Sequence, residues 1–248
     1  MPRTLKLTLE YDGSNYVGWQ RQAAGTSIQG LIEDALLPFE GAPVTVHGAG
    51  RTDAGVHALG QVASAVLQAA HDVKTMQRAL NAVLPVDVRV LQVEDAARDF
   101  HARFSATGKT YEYRIVNAPF VSAFLHRYAW HVPQHLDLEA MRRAAATLVG
   151  THDFAAFRTA GSPVSTTVRT IEEIGWQTGS GPADPLIVRV TGDGFLRHMV
   201  RTIVGSLIEV GLGRWRPERI AEVLKGRDRR AAGDTAPPAG LFLVRVRY

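Results

Sequence analysis

Leu5, Leu7, Leu9 and Tyr11 alternate with Lys6, Thr8 and Glu10, the period of a strand with one buried face, and the run stops at the turn pair Asp12-Gly13. The period then changes. Thr26 with Gln29 has capping-box spacing, and Ile28, Leu31, Ile32, Ala35, Leu36 and Phe39 share the face of the helix it would open. Val44–His47 and Gln61–Leu67 read as two further strands. A second helix follows Asp72 with Val73, Met76, Leu80 and Val83 in register, then a strand over about 86–93. The pattern predicts β-α-β-β-α-β.

The second half repeats that order. A strand at Thr107–Val116 precedes a helix capped near Asp137 with Leu138, Met141, Ala145 and Leu148 inward. Strands at Val168–Trp176 and Leu186–Thr191 follow, then a long helix over about 195–210, a short one opening at Pro217, and a last strand at Leu241–Tyr248. Two split β-α-β units fit the chain, which places it in the α+β class as two ferredoxin-like lobes, residues 1–102 and 103–248. Antiparallel sheets of this kind would join around a central cleft. No flexible linker separates the lobes, so rigid packing is expected.

Composition narrows the chemistry. The 248 residues are 46% hydrophobic and 21% charged, as in a folded globular protein. Cysteine is absent, which removes disulfides, thiolate catalysis and sulfur-based zinc sites and fits a reducing cytoplasm. The alternating start lacks the apolar core of a signal peptide, and no run approaches the ~18 apolar residues of a membrane span. A cytoplasmic protein without membrane attachment is expected. Charge is uneven: residues 1–102 hold eight Lys plus Arg against eleven Asp plus Glu, net −3, and residues 103–248 hold twenty against thirteen, net +7. Arginine supplies eighteen of those twenty, and its fork suits phosphate. Nine of the cations, Arg197, Arg201, Arg214, Arg216, Arg219, Lys225, Arg227, Arg229 and Arg230, fall within 34 residues. A polyanionic partner fits this distribution, and so does a solvated surface.

The densest chemistry lies at Gly48–Ala63, GAGRTDAGVHALGQVA, a glycine-rich loop between strand-like runs with Asp53 at its centre. An Asp-Ala-Gly turn can spend its carboxylate on nearby backbone amides. Against that, Arg51 stands two residues away, where a cation would keep the carboxylate ionised and nucleophilic. Competing chemistries are missing: there is no Gly-x-Ser-x-Gly elbow and no His-Glu-x-x-His. The apparent phosphate loops fail, since position 103 is Arg where Gly108-Lys109-Thr110 needs an upstream glycine, and Arg197 follows Gly192-Asp193-Gly194 where a dinucleotide site needs glycine. His47 and His57 flank Asp53, but no serine completes a triad. Pro133 separates His131 from His135, so no metal site is assigned. A non-catalytic RNA-binding module is the other class a split β-α-β fold allows, but its aromatic signature run is missing.

The strings YDGSNYVGWQRQ, GRTDAGVHALGQV, ARFSATGKTYEYRI, DFAAF, GDGFLRHMVRTIVG and APPAGLFLVRVRY stand in the order and spacing of the bacterial tRNA pseudouridine synthase A family, which the chain resembles over essentially its whole length. Differences lie in the helices and in the loops around Ala160 and Gly179. The resemblance implies an isomerase that turns uridine into pseudouridine at about positions 38 to 40 of the tRNA anticodon stem-loop, without a cofactor, after flipping the base from its stack. It implies that Asp53 is the essential carboxylate, with attack on C1′, addition to C6 and removal of a ribose proton all open to it. Arg51 would extrude or replace the target nucleotide, and Arg201 would pair with Asp53. Tyr111 would stack on the base and take the C5 proton; Tyr113 has the same strand parity, so alternation does not choose between them. Leu241 would wall the uracil. The partners implied are tRNA and a second copy of the chain.

Overall fold

The computed structural model describes residues 2–159, 164–179, 181 and 184–248, so the loop position Ala160 lies outside them. It divides into two compact units, residues 1–107 with 242–248 and residues 108–241. The division thus falls five residues after the expected 102/103 boundary, and the last seven residues lie with the first unit.

In the first unit, β1 (Arg3–Tyr11), α1 (Ile28–Glu40), β2 (His47–Gly48), β3 (His57–Leu67), α2 (Val73–Val83) and β4 (Val88–Ala96) follow in chain order. β1 is the central antiparallel neighbour of β3 and β4, with Leu7 opposite both Ala63 and Val93. Its Leu5, Leu7 and Leu9 are fully buried, as their alternation predicts. α1 buries Ile28, Ile32 and Leu36. Its cap is Ser27, not Thr26: the Ser27 hydroxyl accepts the Gly30 amide at 3.2 Å, while Gln29 bridges Glu33 and the Val46 carbonyl, so the expected capping box does not form. α2 is capped by Asp72 as expected and buries Met76 and Leu80, whereas Val83 in its last turn is exposed. The Val44–His47 strand is a correction in length, since only His47–Gly48 pairs, against Ser64 and Ala63.

The second unit holds β5 (Gly108–Val116), β6 (Trp130–His131), α3 (Leu138–Ala146), β7 (Gly150–Asp153), β8 (Val168–Gln177), β9 (Leu186–Gly192), α4 (Met199–Gly211) and α5 (Arg219–Gly226). Its sheet runs β5-β9-β8-β7 antiparallel. α4 is almost entirely buried, with Ile203, Val204 and Leu207 at no exposure. It begins at Met199, four residues later than the pattern predicts, because His198 takes a left-handed φ of 62° that a continuing helix cannot contain.

The class is α+β, but the sheet is mixed, which corrects the expectation of purely antiparallel pairing. β6 runs parallel to β5, and the final strand β10 (Leu241–Arg247) pairs parallel with β3 through Phe242 opposite His57 and Leu243 opposite Ala58. β10 comes from the far end of the chain, so no hairpin dictates its direction. Among the described residues no helix is long and apolar enough to cross a membrane.

Candidate active site

Two separated sequence strings fold into one object in the first unit. The segment after the Gly13–Asn15 turn lies antiparallel to the loop carrying Asp53: Gly18 bridges Asp53, the Trp19 amide donates to the Thr52 carbonyl at 3.0 Å, and the Gly55 amide donates to Tyr16 at 3.4 Å. The chain then turns back, with the Val56 amide on the Asp53 carbonyl at 3.1 Å and Gly55 at φ 77°. Glycine is obligatory at the crossing. Gly18 has φ 103°, and a Cβ there would sit 2.5 Å from the Thr52 carbonyl oxygen; one on Gly48 would fall 2.4 Å from the buried Trp19 indole.

Behind the loop lies a buried polar network. The Tyr11 hydroxyl and Thr52 Oγ1 are 2.8 Å apart, and Gln61 Nε2 donates to the Gly50 carbonyl at 2.8 Å and to Tyr11 at 3.5 Å. Burial, the largest influence, pushes the Tyr11 hydroxyl up to about 12, so it stays neutral. Thr52 and Gly50 on one side and Gly18 on the other therefore fix the backbone that presents the half-buried Asp53. Arg51 is exposed in the same loop.

His57 has a structural task. Its Nδ1 accepts the Gly13 amide at 3.1 Å, its ring stacks on Phe242 at 4.6 Å, and it is 1% exposed. That Nδ1 also lies 3.1 Å from Asp12 Oδ1, so the ring holds the end of β1 in place.

In the second unit the two tyrosines of β5 differ by what they touch. The Tyr113 hydroxyl donates to the Pro237 carbonyl at 2.7 Å, and its ring meets Trp130 edge-on. Burial drives its ionisation far up, and Tyr113 is a core residue. Tyr111 instead packs edge-on against the half-buried Phe195 at 5.1 Å. Arg201, in the first turn of α4, donates from Nε to the Ala236 carbonyl at 2.7 Å, while the Ala236 amide bonds back to Arg201 at 3.2 Å. The strap that follows reaches the short turn Pro238–Gly240, where a Cβ on Gly240 would press to 2.8 Å on Tyr113 and the Arg114 carbonyl. Leu241, 6% exposed, comes next. Arg201 and Leu241 thus sit at two points of one strap, the first held to it by paired bonds.

His198 escapes sequence reasoning. It is one of two non-glycine residues with positive φ among the described residues, and Thr159 Oγ1 lies 2.6 Å from its Nδ1. A left-handed non-glycine residue costs on the order of 1–3 kcal/mol, and here it sits three residues before Arg201. Tyr11, Tyr16, Trp19 and Gln61 were also missed, although all lie within or beside the quoted strings. The basic run is less free than its count implies: Arg214 pairs with Glu209 at 3.0 Å, Arg216 and Arg219 with Glu222, Arg227 with Asp153 at 3.1 Å, and Arg230 with Asp228 at 2.9 Å.

A family model described as tRNA pseudouridine synthase matches residues 8–105 and 144–248. The chain is 45% identical over 247 residues to tRNA pseudouridine synthase A of Acetivibrio thermocellus, covering 99% of this chain and 100% of the relative. It is 48% identical over 246 residues to the protein of the same name from Moorella thermoacetica, covering 98% and 99%, and 46% identical over 251 residues to that of Sinorhizobium medicae, covering both completely. Among solved structures, a Cbf5-Nop10-Gar1 complex aligns with a TM-score of 0.41 at 13% identity, covering 96% of this chain and 48% of that one.

Proposed function

The chain belongs to the tRNA pseudouridine synthase A family and is an isomerase, and on that premise we propose that it converts uridine to pseudouridine at about positions 38, 39 and 40 of the tRNA anticodon stem-loop, using Asp53 and no cofactor. The reaction balances internally. The bond from ribose C1′ to N1 breaks, the uracil turns, C5 bonds to C1′, and the proton lost from C5 is matched by one gained at N1. The protein's work is therefore to flip the nucleotide, to stabilise the sugar or ring while the base is detached, and to keep the base from leaving.

The observation that carries the reading is the Asp53 loop, clamped through Gly18 and Thr52 so that a carboxylate is presented on fixed backbone. An ionised carboxylate serves attack at C1′, addition at C6 and removal of a ribose proton alike. Arg51, exposed on the same loop, is the group assigned to base extrusion. Tyr111 is assigned to stacking on the uracil and to proton removal from C5, Arg201 to the carboxylate, and Leu241 to the apolar wall. Tyr113 is unsuited to that role because its hydroxyl is already committed to Pro237. In the same reading the N-terminal lobe, 1–102, carries the catalytic Asp53, the basic lobe, 103–248, holds RNA, and the enzyme works in the cytoplasm as a homodimer.

Release of tritium from uracil C5 in labelled tRNA tests this. Wild-type protein should release label, and Asp53→Asn should release none while its circular dichroism and tRNA affinity stay unchanged. Label released by the Asn variant at the wild-type rate, or none released by the wild type, would overturn the assignment.

A further inference from the structure

The first unit carries a second ordered feature beside the Asp53 loop. The His47 ring stacks on His101 at 4.7 Å and 29°, His101 meets Phe104 at 4.4 Å, and the Arg103 guanidinium lies 5.5 Å from the centre of the Phe104 ring. Phe104 is 76% exposed. Single apolar residues on a surface are ordinary. Here, however, the exposed ring ends a ladder of aromatic and cationic groups, and the ladder is built on rigid backbone.

The rigidity has several sources. His101 Nδ1 accepts the Arg103 and Phe104 amides at 3.1 and 3.4 Å, and the Ser105 and His101 residues exchange two further bonds. Between them Ala102 is fully buried, its amide on Ser64 Oγ at 3.0 Å and its carbonyl on the Tyr248 hydroxyl at 2.9 Å. Ser64 is also the residue opposite His47 in the sheet. One strand position therefore tethers both ends of the ladder. Because Nδ1 accepts, the His101 proton resides on Nε2 and the ring is neutral; burial first, then His47 and Arg103, hold its titration below the usual histidine range. A neutral imidazole in a stack, an exposed phenyl face and a flanking guanidinium match the two needs of an unpaired nucleotide, a π-face for the base and a cation for its phosphate.

We propose that His47, His101, Phe104 and Arg103 form a stacking platform for an unpaired nucleotide of the RNA substrate, flanking the one delivered to Asp53. This rests on the proposed function in that His47 begins the strand leading into the Arg51–Asp53 loop. The platform belongs to the first unit, whereas the arginine-rich run belongs to the second, and it would hold the RNA loop chiefly by stacking.

Affinity for an anticodon stem-loop RNA, measured by filter binding across a salt series, tests the platform with Phe104→Ala, Phe104→Leu and Phe104→Trp. Loss of a base-on-aromatic stack should weaken binding about ten-fold in the Ala and Leu variants, while Trp stays within about two-fold of wild type. The slope against salt should not change, since no phosphate contact is lost. Wild-type affinity in the Leu variant would overturn the proposal. So would a loss that accompanies dissociation to monomers in sedimentation at unchanged affinity per subunit, which would assign Phe104 to a contact between copies. Tritium release by the wild-type enzyme reads the catalytic assignment separately: a protein that releases no label yet needs an aromatic at 104 to bind RNA keeps the platform and loses the chemistry.

Discussion

The loop bearing Asp53 and the cationic run from Arg197 to Arg230 answer different demands in different materials. The loop is made of backbone: a bridge to Gly18, an amide bond from Trp19, a turn closed by Val56, and glycines where no Cβ fits. The cationic run is made of long side chains, several tied to acids on their own surface, with Arg230 among the most exposed. Bond rearrangement at one carbon, the task proposed for Asp53, needs a carboxylate held to a fraction of an ångström. A polyanion needs only charge that can be released toward it. Intramolecular pairs on a surface contribute little stability, typically 0.2 to ~1 kcal/mol each, so a phosphate can displace them at small cost.

That contrast predicts graded consequences. The largest effect belongs to Asp53→Asn, which should lower turnover by more than about 1,000-fold with unfolding temperature unchanged. Next comes Gly48→Ala. Its new methyl falls against the buried Trp19 indole, so a destabilisation of roughly 1–3 kcal/mol is expected in urea titration, with turnover falling alongside because the loop shifts. Tyr113→Phe and Tyr111→Phe should separate structure from chemistry. The first should cost about 1 kcal/mol of stability through the lost bond to Pro237 and leave kcat nearly intact, and the second should do the reverse. Equal kinetic losses in both would erase the distinction drawn between them. The smallest effect is expected of Glu222→Gln, which frees Arg216 and Arg219: stability within about 0.5 kcal/mol of wild type, and tRNA affinity raised about two-fold at low salt and unchanged at high salt.

Much of the fold was readable because long periodic runs report local geometry. β1, α2, α3 and β9 follow from alternation and caps that need only their neighbours. The misses share a different origin. β6 and β7 span two and four residues, too few for a period, and β10's parallel partner lies 185 residues upstream. The helix start at Met199 is displaced by a single backbone angle at His198. At the candidate site, the loop and its glycines were legible, while the Tyr11–Thr52–Gln61 network was not, because it exists only once β1 and β3 pair, with a register shift between Leu9 and Tyr11. Likewise, identical strand parity does not distinguish the surroundings of Tyr111 and Tyr113, which differ in that the Tyr113 hydroxyl donates to the Pro237 carbonyl.

The segment Phe242–Tyr248 belongs to the unit that holds Asp53, supplying the ring under His57 and the hydroxyl that ties down Ala102. During translation, then, residues 1–107 emerge before the segment 242–248 that completes their unit. That unit cannot reach its finished form until residues 242–248 have left the ribosome as well. Deleting residues 242–248 should consequently damage the unit that holds Asp53, far upstream in sequence.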